Sequence, residues 1–318
     1  MPKWEAELRR QALLRNTHSS TAIEGNKLSL EQVEALSAGK DIAATKKDKL
    51  EALNYLEALK RIPELAEKGK IRSADLLNIH RIVTKEVMQN SGDSGAFRNR
   101  QVFVGSRIYD STGFKEEVEY MPPKTEEVPM LVDEFLGWLN LDKTWGINPV
   151  LVAGIAHYEI ARIHPFIDGN GRTARALATL ILYLSGFDHR RIFALDDYYD
   201  RDRKSYYAAL KTAQINNGDI TQWLEYFTTG ILSSVEEAKD AVLKVSTKRK
   251  VGQAQIALTS KQMKIVEFIN VNGKVTNKDL QGLFKISAQA AHKELTKLVE
   301  MKVIKSVGEG RALHYILV

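Results

Sequence analysis

Residues 164–175 read HPFIDGNGRTAR, and the interpretation of the whole chain starts from this stretch. It lies between two segments whose apolar residues recur at helical spacing, Pro149–Ile163 and Thr173–Ser185. The stretch is therefore predicted to be a loop that opens a helix. Gly169 and Gly171 allow close approach of the backbone, and the first N–H groups of a helix form a site for an anion. A phosphate group is the expected guest.

The side chains of the same stretch offer the groups that displacement at phosphorus requires. Asp168 is a candidate metal ligand, and His164 is a candidate base. Arg172 and Arg175 carry positive charge that can stabilise developing negative charge. A lone histidine or a lone GxG is usually structural, so it is the density of these groups that favours a catalytic site.

The composition of the chain limits its class. At 318 residues, with 44% hydrophobic and 27% charged residues, two or more globular folding units are expected. The absence of cysteine excludes a disulfide framework, a thiolate nucleophile and a zinc site built on sulfur. No apolar run approaches the length that crosses a bilayer, so we expect a cytoplasmic protein that does not bind a membrane.

Helical periodicity dominates the first 240 residues, which predicts a mainly α fold. Besides the two segments around the loop, the periodic stretches are Leu50–Leu65, Val128–Leu139 and Ser205–Gln214. Residues 101–121 are the exception, because β-rich runs there flank the turn-forming sequence Asp110-Ser111-Thr112-Gly113. We predict a β-hairpin in this segment and call it the flap.

The last part of the chain is predicted to be a separate module. Residues 241–318 hold 14 Lys and Arg against 5 Asp and Glu, a net charge of +9, which leaves −3 for residues 1–240. Residues 241–255 are polar and basic and form the candidate linker. The stretches Ser260–Asn270, Thr276–Phe284 and Ser287–Lys302 are predicted helices, and two β-rich runs follow them. Residues 256–318 are therefore predicted to form a winged-helix-like α+β domain.

The partner of this module stays open at the level of sequence. Ser287 is the predicted N-cap of a helix that presents Gln289, His292, Lys293, Thr296 and Lys297. Such a face can read DNA, but winged helices also dock proteins or form dimers, and a lysine-rich surface is often simply solvated.

At every defined position, residues 164–175 match the signature HPFx[D/E]GNGRxxR, and the chain resembles Fic-domain proteins over roughly residues 15–235. The resemblance implies a Fic helical bundle at residues 96–240 behind an N-terminal helical region at 1–95. It implies transfer of an adenylyl (AMP) group from ATP to Ser, Thr or Tyr hydroxyls of proteins. In that reaction His164 is the general base, Asp168 holds Mg²⁺, Arg172 binds the leaving pyrophosphate and Arg175 binds the γ-phosphate. The backbone cradle for the phosphates is Gly169, Asn170 and Gly171.

The resemblance also assigns residues outside the motif. The edge of the flap aligns the target segment, with the positions near the nucleotide being Val104, Gly105, Ser106 and Arg107. A downstream YYxxL segment resembles the adenine and ribose wall, formed by Tyr206, Tyr207 and Leu210. Gln214 stands one turn further on, where a relative is expected to place Asn, so the purine contact stays open.

Residues 20–26 match the inhibitory pattern [S/T]xxxE[G/N] of Fic relatives, at the end of a predicted helix around 15–26. The residues of the pattern are Ser20, Glu24, Gly25 and Asn26. A glutamate followed by Gly-Asn is also ordinary chemistry at a helix C-terminus. The resemblance implies that Glu24 pairs with Arg175, takes the place of the γ-phosphate, and in some relatives assists removal of AMP.

Two rival functions remain at this point. The same fold transfers other nucleotide or phosphate-containing groups, and a nucleotide-sensing core joined to a basic module would suit a DNA-binding regulator. Fic relatives also modify themselves or form homodimers. The target protein and its modified residue are not encoded in any pattern of this chain.

Overall fold

The computed structural model describes residues 3–110, 113–188, 190–216, 218–247, 258–310 and 313–317. In chain order, the helices of the larger part are α1 (Lys3–Ile23), α2 (Leu30–Ser37), α3 (Lys46–Leu65), α4 (Ser73–Val83), α5 (Val128–Leu139), α6 (Pro149–Ile163), α7 (Asn170–Leu184), α8 (Leu195–Arg201), α9 (Arg203–Ile215) and α10 (Thr221–Thr247). The two strands of the flap are β1 (Val104–Asp110) and β2 (Gly113–Tyr120). The predicted class, mainly α with a β-hairpin, is confirmed.

Helices α6 and α7 pack against each other at the centre of the bundle. Helix α6 begins where predicted because Asn148 caps it, its side chain accepting from the N–H of Val150 at 2.9 Å, and Pro149 occupies the first position. Helices α3 and α4 pack on α7, and α10 packs on α6. Ile163 and Leu177, near the two ends of the motif stretch, are fully buried in the shared apolar core. The loop between α6 and α7 is thus anchored on both sides.

The flap is an antiparallel pair with an irregular start. The register pairs Val104 with Tyr120 and Gly105 with Val118, with a shift between Val104 and Gly105. Gly105 has a φ of 155°, and a Cβ there would collide with the carbonyl of Glu117. Only glycine therefore fits at this position. The predicted turn residues Ser111 and Thr112 lie outside the described residues.

Helix α1 carries residues 20–26 to the bundle. It packs on α3 and α8, and its C-terminal Ile23 is buried in the main core. Arg15 forms an ion pair with Asp197 on α8, and the side chain of Asn16 donates to Phe193 O at 3.2 Å. The segment that follows Ile23 is therefore fixed against the bundle.

The C-terminal module has the predicted element order: α11 (Ser260–Asn272), α12 (Asn277–Phe284), α13 (Ala288–Glu300), β3 (Ile304–Val307) and β4 (His314–Leu317). Strands β3 and β4 are antiparallel, and Val275 adds a bridge to Tyr315. Ser287 caps α13, accepting from Ala290 N–H at 3.2 Å. The assignment of this module to the winged-helix class stays a prediction.

The predicted linker differs from the structure at its start. Helix α10 continues to Thr247, so residues 241–247 are helical, and residues 248–255 lie outside the described residues. Apolar residues recur only weakly at helical spacing there, but these residues continue the apolar face of the earlier part of α10 and remain helical. In the part of the chain that the structure describes, no helix is both long and apolar enough to cross a membrane.

We expect Trp223→Phe to lower the free energy of unfolding. Trp223 is fully buried, and its indole N–H donates to Gly154 O on α6 at 2.8 Å. The variant removes this hydrogen bond, whose net contribution to stability is about 0.5–1.5 kcal/mol. Trp145→Phe is the matched control, because Trp145 Nε1 has no hydrogen-bond partner among the described residues. Urea unfolding of the two variants gives the comparison, and equal losses would contradict the assigned role of the hydrogen bond.

Candidate active site

The loop between α6 and α7 begins with a reversal at His164. Helix α6 ends at Ile163, and His164 adopts the left-handed conformation with φ 51°, which is uncommon for a residue with a side chain. Gly169 is also left-handed, with φ 78°, and a Cβ there would lie 2.7 Å from Thr84 Cγ2. These two residues turn the chain back so that α7 starts beside the end of α6.

Asn170 holds this loop closed. Its side-chain oxygen accepts from Phe166 N–H and its side-chain nitrogen donates to Phe166 O, both at 2.9 Å. The ring of Phe166 is buried and stacks on His80, with centroids 3.7 Å apart. This packing fixes the loop to the core. Both polar atoms of the Asn170 side chain are used in these hydrogen bonds, so only its backbone N–H is available to bind an anion.

His80 fixes the other side of the loop and its tautomer follows from its neighbours. Gly95 N–H donates to Nδ1 at 3.0 Å, so the proton is on Nε2, which donates to Asp168 O at 2.9 Å. Burial lowers the pKa of His80 to about 4. The neutral ring is therefore the form that supports the backbone of Asp168.

His164 is half-buried and is held as a neutral imidazole. Its Nδ1 lies 3.3 Å from Ala161 O, and the tautomer that donates to this carbonyl leaves Nε2 unprotonated. Burial lowers the pKa of His164 to about 4. The ring is thus in the form that accepts a proton throughout the neutral range.

Arg98 ties the loop to the base of the flap. Its Nε donates to His164 O at 2.9 Å, and its backbone N–H donates to Pro165 O at 2.9 Å. Its Nη1 donates to Thr125 Oγ1 at 2.7 Å. At the end of β2, Tyr120 Oη donates to Arg162 O at 2.8 Å. The loop and the flap are therefore fixed to each other near His164.

Arg175 is the most deeply enclosed cation of the site, with its side chain 1% exposed. Its Nε donates to Ser20 Oγ at 2.7 Å, and Nη2 donates to Ser20 O at 2.9 Å and to Glu24 Oε1 at 2.8 Å. Its Nη1 donates to Tyr206 Oη at 3.3 Å. Residues of the predicted inhibitory pattern thus cover most of its donors.

The carboxylate of Glu24 lies against the N-terminus of α7. A Cβ built at Gly171 would collide with Glu24 Oε1 and would lie 3.1 Å from Arg175 Nη1. The side chain of Glu24 is 27% exposed, while the guanidinium that it pairs with is buried. The first N–H groups of a helix attract negative charge, so this carboxylate occupies the same kind of place that a phosphate would take.

Behind Ser20 lies a second buried carboxyl group. Tyr55 Oη donates to Asp196 Oδ2 at 2.7 Å, and Ser20 also hydrogen bonds to Asp196. Burial raises the pKa of Asp196 to about 6, although Arg175 opposes the shift. Ser20 therefore joins Arg175 to a buried polar network that no sequence motif announced.

Asp168 and Arg172 stand at the more open side of the helix start. The side chain of Asp168 is 53% exposed and lies 3.4 Å from Arg172 Nη2. Arg172 is 2% exposed and lies 3.3 Å from Glu51 Oε1 on α3. No group of three or more His, Asp or Glu side chains able to hold a metal occurs among the described residues. Mg²⁺ commonly takes one or two carboxylates plus phosphate oxygens, and a single exposed carboxylate fits that use.

The predicted nucleotide wall differs from the arrangement in the structure. Tyr206 is buried, and its hydroxyl lies between Arg175 and His157 Nε2, at 3.1 Å from the latter. Tyr206 accepts a hydrogen bond from Arg175 in the core, and its ring does not line the exposed surface of the site. Tyr207 is exposed and its Oη donates to Ile23 O at 3.3 Å, while Gln214 Nε2 lies 3.5 Å from Ala161 O. Tyr207 and Gln214 are thus near the site, at the edges of α1 and α6.

The predicted flap positions lie in β1, which starts beside the loop. Val104 is half-buried and Gly105 is exposed. Ser106 is paired with Glu117 and Arg107 with Glu116 in the register. Gly25 follows Glu24 with φ 92°, and Asn26 is buried, so the end of the predicted inhibitory pattern forms a tight turn.

Comparison with known proteins agrees with this geometry. Residues 70–182 match the Fic/DOC family. These residues form a Fic domain. A protein adenylyltransferase Fic of Drosophila willistoni is 30% identical over 80% of this chain and 49% of its own length. One of Culex quinquefasciatus is 34% identical over 68% of this chain and 40% of its own. The chain therefore spans about half, or less, of the length of these curated relatives.

Solved Fic structures have the same fold. A Fic family protein from Desulfovibrio desulfuricans G20 has a TM-score of 0.62 at 24% identity, and the match covers 98% of this chain and 88% of the other. Fic-1 from C. elegans has a TM-score of 0.58 at 28% identity over 74% of this chain and 64% of the other. The first likeness extends over nearly the whole chain, including the C-terminal module.

Four supporting residues of this Fic site were missed at the sequence level: His80, Arg98, Tyr55 and Glu51. Each is far from the motif in sequence and acts through a single side chain. His80 lies on the buried face of α4 and Tyr55 on that of α3, where histidine and tyrosine usually have packing roles. The only sign in the sequence that His80 and Tyr55 support the site is that each is a polar residue on an otherwise apolar helix face.

The stability of the protein should fall as the pH drops from about 6.5 towards 4. The pKa of His80 is about 4 in the folded protein, against an ordinary value of 6.5, so the unfolded chain takes up a proton first. The stabilising effect is complete above pH 6.5, and its loss amounts to something on the order of 3 kcal/mol at pH 4. Urea unfolding at pH 7.5 and pH 4.5 measures it.

His80→Gln tests the origin of this dependence, because glutamine can still donate to Asp168 O but does not titrate. We expect lower stability at pH 7.5 and a smaller difference between the two pH values. His292→Gln, at an exposed position of α13, is the control that should leave the difference unchanged. An unaltered pH difference in His80→Gln would contradict the assignment.

Proposed function

We propose that this protein transfers the AMP group of ATP to hydroxyl side chains of proteins. The observation that carries the proposal is the enclosure of one helix N-terminus by a neutral histidine, His164, and two buried arginines, Arg172 and Arg175. The relatives named protein adenylyltransferase Fic support this reading of the site. The absence of cysteine suits the cytoplasm as its compartment.

His164 acts as the general base. Its Nδ1–H is directed by Ala161 O, so Nε2 takes the proton of the target hydroxyl. The hydroxyl oxygen then forms a bond to the α-phosphorus of ATP, the bond from that phosphorus to the bridging oxygen breaks, and pyrophosphate leaves. Arg98 holds the carbonyl of His164 and so fixes the direction of the ring.

The phosphates are held by the start of α7 and its arginines. The N–H groups of Gly169, Asn170 and Gly171 provide the cradle, Arg172 stabilises the leaving pyrophosphate and Arg175 binds the γ-phosphate. Asp168 would hold Mg²⁺, which would neutralise negative charge on the phosphates. The flap offers its edge to an extended target segment, which can come from another protein or from a second copy of this chain.

Glu24 inhibits this reaction from within the chain. Its carboxylate pairs with Arg175 and lies over Gly171. In the proposed reaction Arg175 binds the γ-phosphate, so the carboxylate competes with that phosphate. ATP then binds in an unreactive orientation or is excluded. The same carboxylate can also position a water molecule for the opposite reaction, the removal of AMP from a modified protein.

Glu24→Gly should increase protein-linked label when the protein is incubated with Mg²⁺ and α-labelled ATP. A hydrogen bond to a charged group contributes about 1.5–3 kcal/mol, so its loss should raise the rate by roughly tenfold to a hundredfold. Glu31→Gly, an exposed glutamate on the neighbouring helix α2, is the control that should leave the rate unchanged.

Glu24→Gly/His164→Ala should then lose about 10²–10⁴-fold of that rate, because the general base is gone. Transfer of label from α-labelled ATP but not from γ-labelled ATP identifies AMP as the group transferred. Label from other triphosphates in preference to ATP would favour a different nucleotide donor. No label in any variant that still binds ATP would contradict the proposed reaction.

A second activity is favoured by the exposed face of α13. Gln289, His292, Lys293 and Thr296 are exposed there, and residues 241–318, which include the linker, have a net charge of +9. We propose that this face binds DNA. Affinity of the full chain for duplex DNA should fall steeply with salt, and Lys293→Gln should weaken it and reduce the salt slope by about one. Lys68→Gln, in the segment between α3 and α4, should change neither the affinity nor the salt slope. Equal effects of the two variants would exclude α13 as the DNA contact.

A further inference from the structure

Arg172 has a different environment from Arg175 although both lie on α7. The donors of Arg175 reach Ser20, Glu24 and Tyr206. Arg172 is equally buried, but its Nε and Nη1 lack a hydrogen-bond partner in the described ranges. Its guanidinium is held by charge, 3.3 Å from Glu51 and 3.4 Å from Asp168. Two donors of Arg172 are therefore unsatisfied in this arrangement.

Glu51 is the carboxylate that faces Arg172 from α3. Its side chain is 7% exposed. Oε1 lies 3.3 Å from Arg172 Nη1 and 3.8 Å from Lys47 Nζ, and Oε2 accepts from Asn26 Nδ2 at 3.1 Å. A buried carboxylate and a buried guanidinium are each costly alone, so removal of either leaves the other without compensation. The position of the Arg172 guanidinium therefore depends on Glu51.

Asn26 connects this pair to the turn that carries Glu24. Its Nδ2 also donates to Asp48 O at 3.0 Å, and its Oδ1 accepts from Leu28 N–H at 3.1 Å. The side chain of Asn26 thus fastens the turn to α3 at the point where Glu51 meets Arg172. Each arginine of the motif is paired with one carboxylate from outside α7 and its loop, Arg175 with Glu24 and Arg172 with Glu51.

We propose that Glu51 is a positioning residue that holds Arg172 ready for the phosphates of the nucleotide. The proposal rests on the proposed function, in which Arg172 binds the leaving pyrophosphate. Without the charge of Glu51, the guanidinium pairs with Asp168, which is already 3.4 Å away, and so withdraws both groups from the nucleotide. The two glutamates thus have opposite effects. Removal of Glu24 frees Arg175 for the nucleotide, whereas removal of Glu51 draws Arg172 away from it.

The experiment measures ATP binding by calorimetry in a Glu24→Gly background, with Mg²⁺ present. Glu51→Gln should raise the dissociation constant for ATP at least tenfold, and Glu51→Asp, which keeps the charge, should recover part of that loss. Glu57→Gln, the same substitution at an exposed position of α3, should leave binding unchanged. Circular dichroism of each variant checks that the helices are retained.

The decisive comparison repeats Glu51→Gln with Arg172→Ala already present. If Glu51 acts through Arg172, the second substitution changes the dissociation constant less than twofold in that background. An equal loss in both backgrounds, or no loss in either, overturns the proposal. Should Glu51→Gln fail to fold, the same comparison with Glu51→Asp decides. Failure of the Glu24→Gly parent to bind ATP would instead overturn the proposed function itself.

Discussion

A buried positive charge organises this structure. Arg175 is almost completely removed from solvent, and a guanidinium in that position has to be surrounded by acceptors. Ser20 and Glu24 provide them from α1 and the turn that follows it, and Tyr206 provides one from α9. Burial lowers the pKa of His157, and the charge of Arg175 lowers it further, so this ring stays neutral and accepts from Tyr206. The positions of α1 and α9 relative to α7 follow from satisfying this one side chain.

The second constraint is the shape of the loop that starts α7. The left-handed His164 and Gly169 bring the ends of α6 and α7 together, and Asn170 closes the loop with two hydrogen bonds. His80 and Arg98 then bind the loop carbonyls of Asp168 and His164. The reactive side chains are consequently carried by a backbone that is held at several points, as precise catalysis requires.

Much of this was visible in the sequence, and the reasons differ from one element to another. Helices α5 and α6 have the predicted bounds because their apolar spacing and, for α6, the Asn-Pro cap are local signals. Contact between Glu24 and Arg175 was expected only through the family resemblance. The burial of Tyr206 was not predicted, because a YYxxL pattern does not indicate which tyrosine faces inward. Glu51 carries no local signal, since its role depends on α3 and α7 meeting in space.

Gly171 limits the mutational routes by which this protein can change its activity. A side chain at this position would collide with Glu24 in the present arrangement, and the same space lies at the helix N-terminus that an anion approaches. A substitution there displaces the carboxylate of Glu24 and, in the proposed function, the phosphate of the nucleotide as well. In the proposed function, a variant that loses inhibition and keeps ATP binding therefore has to alter the turn after α1 and preserve the start of α7.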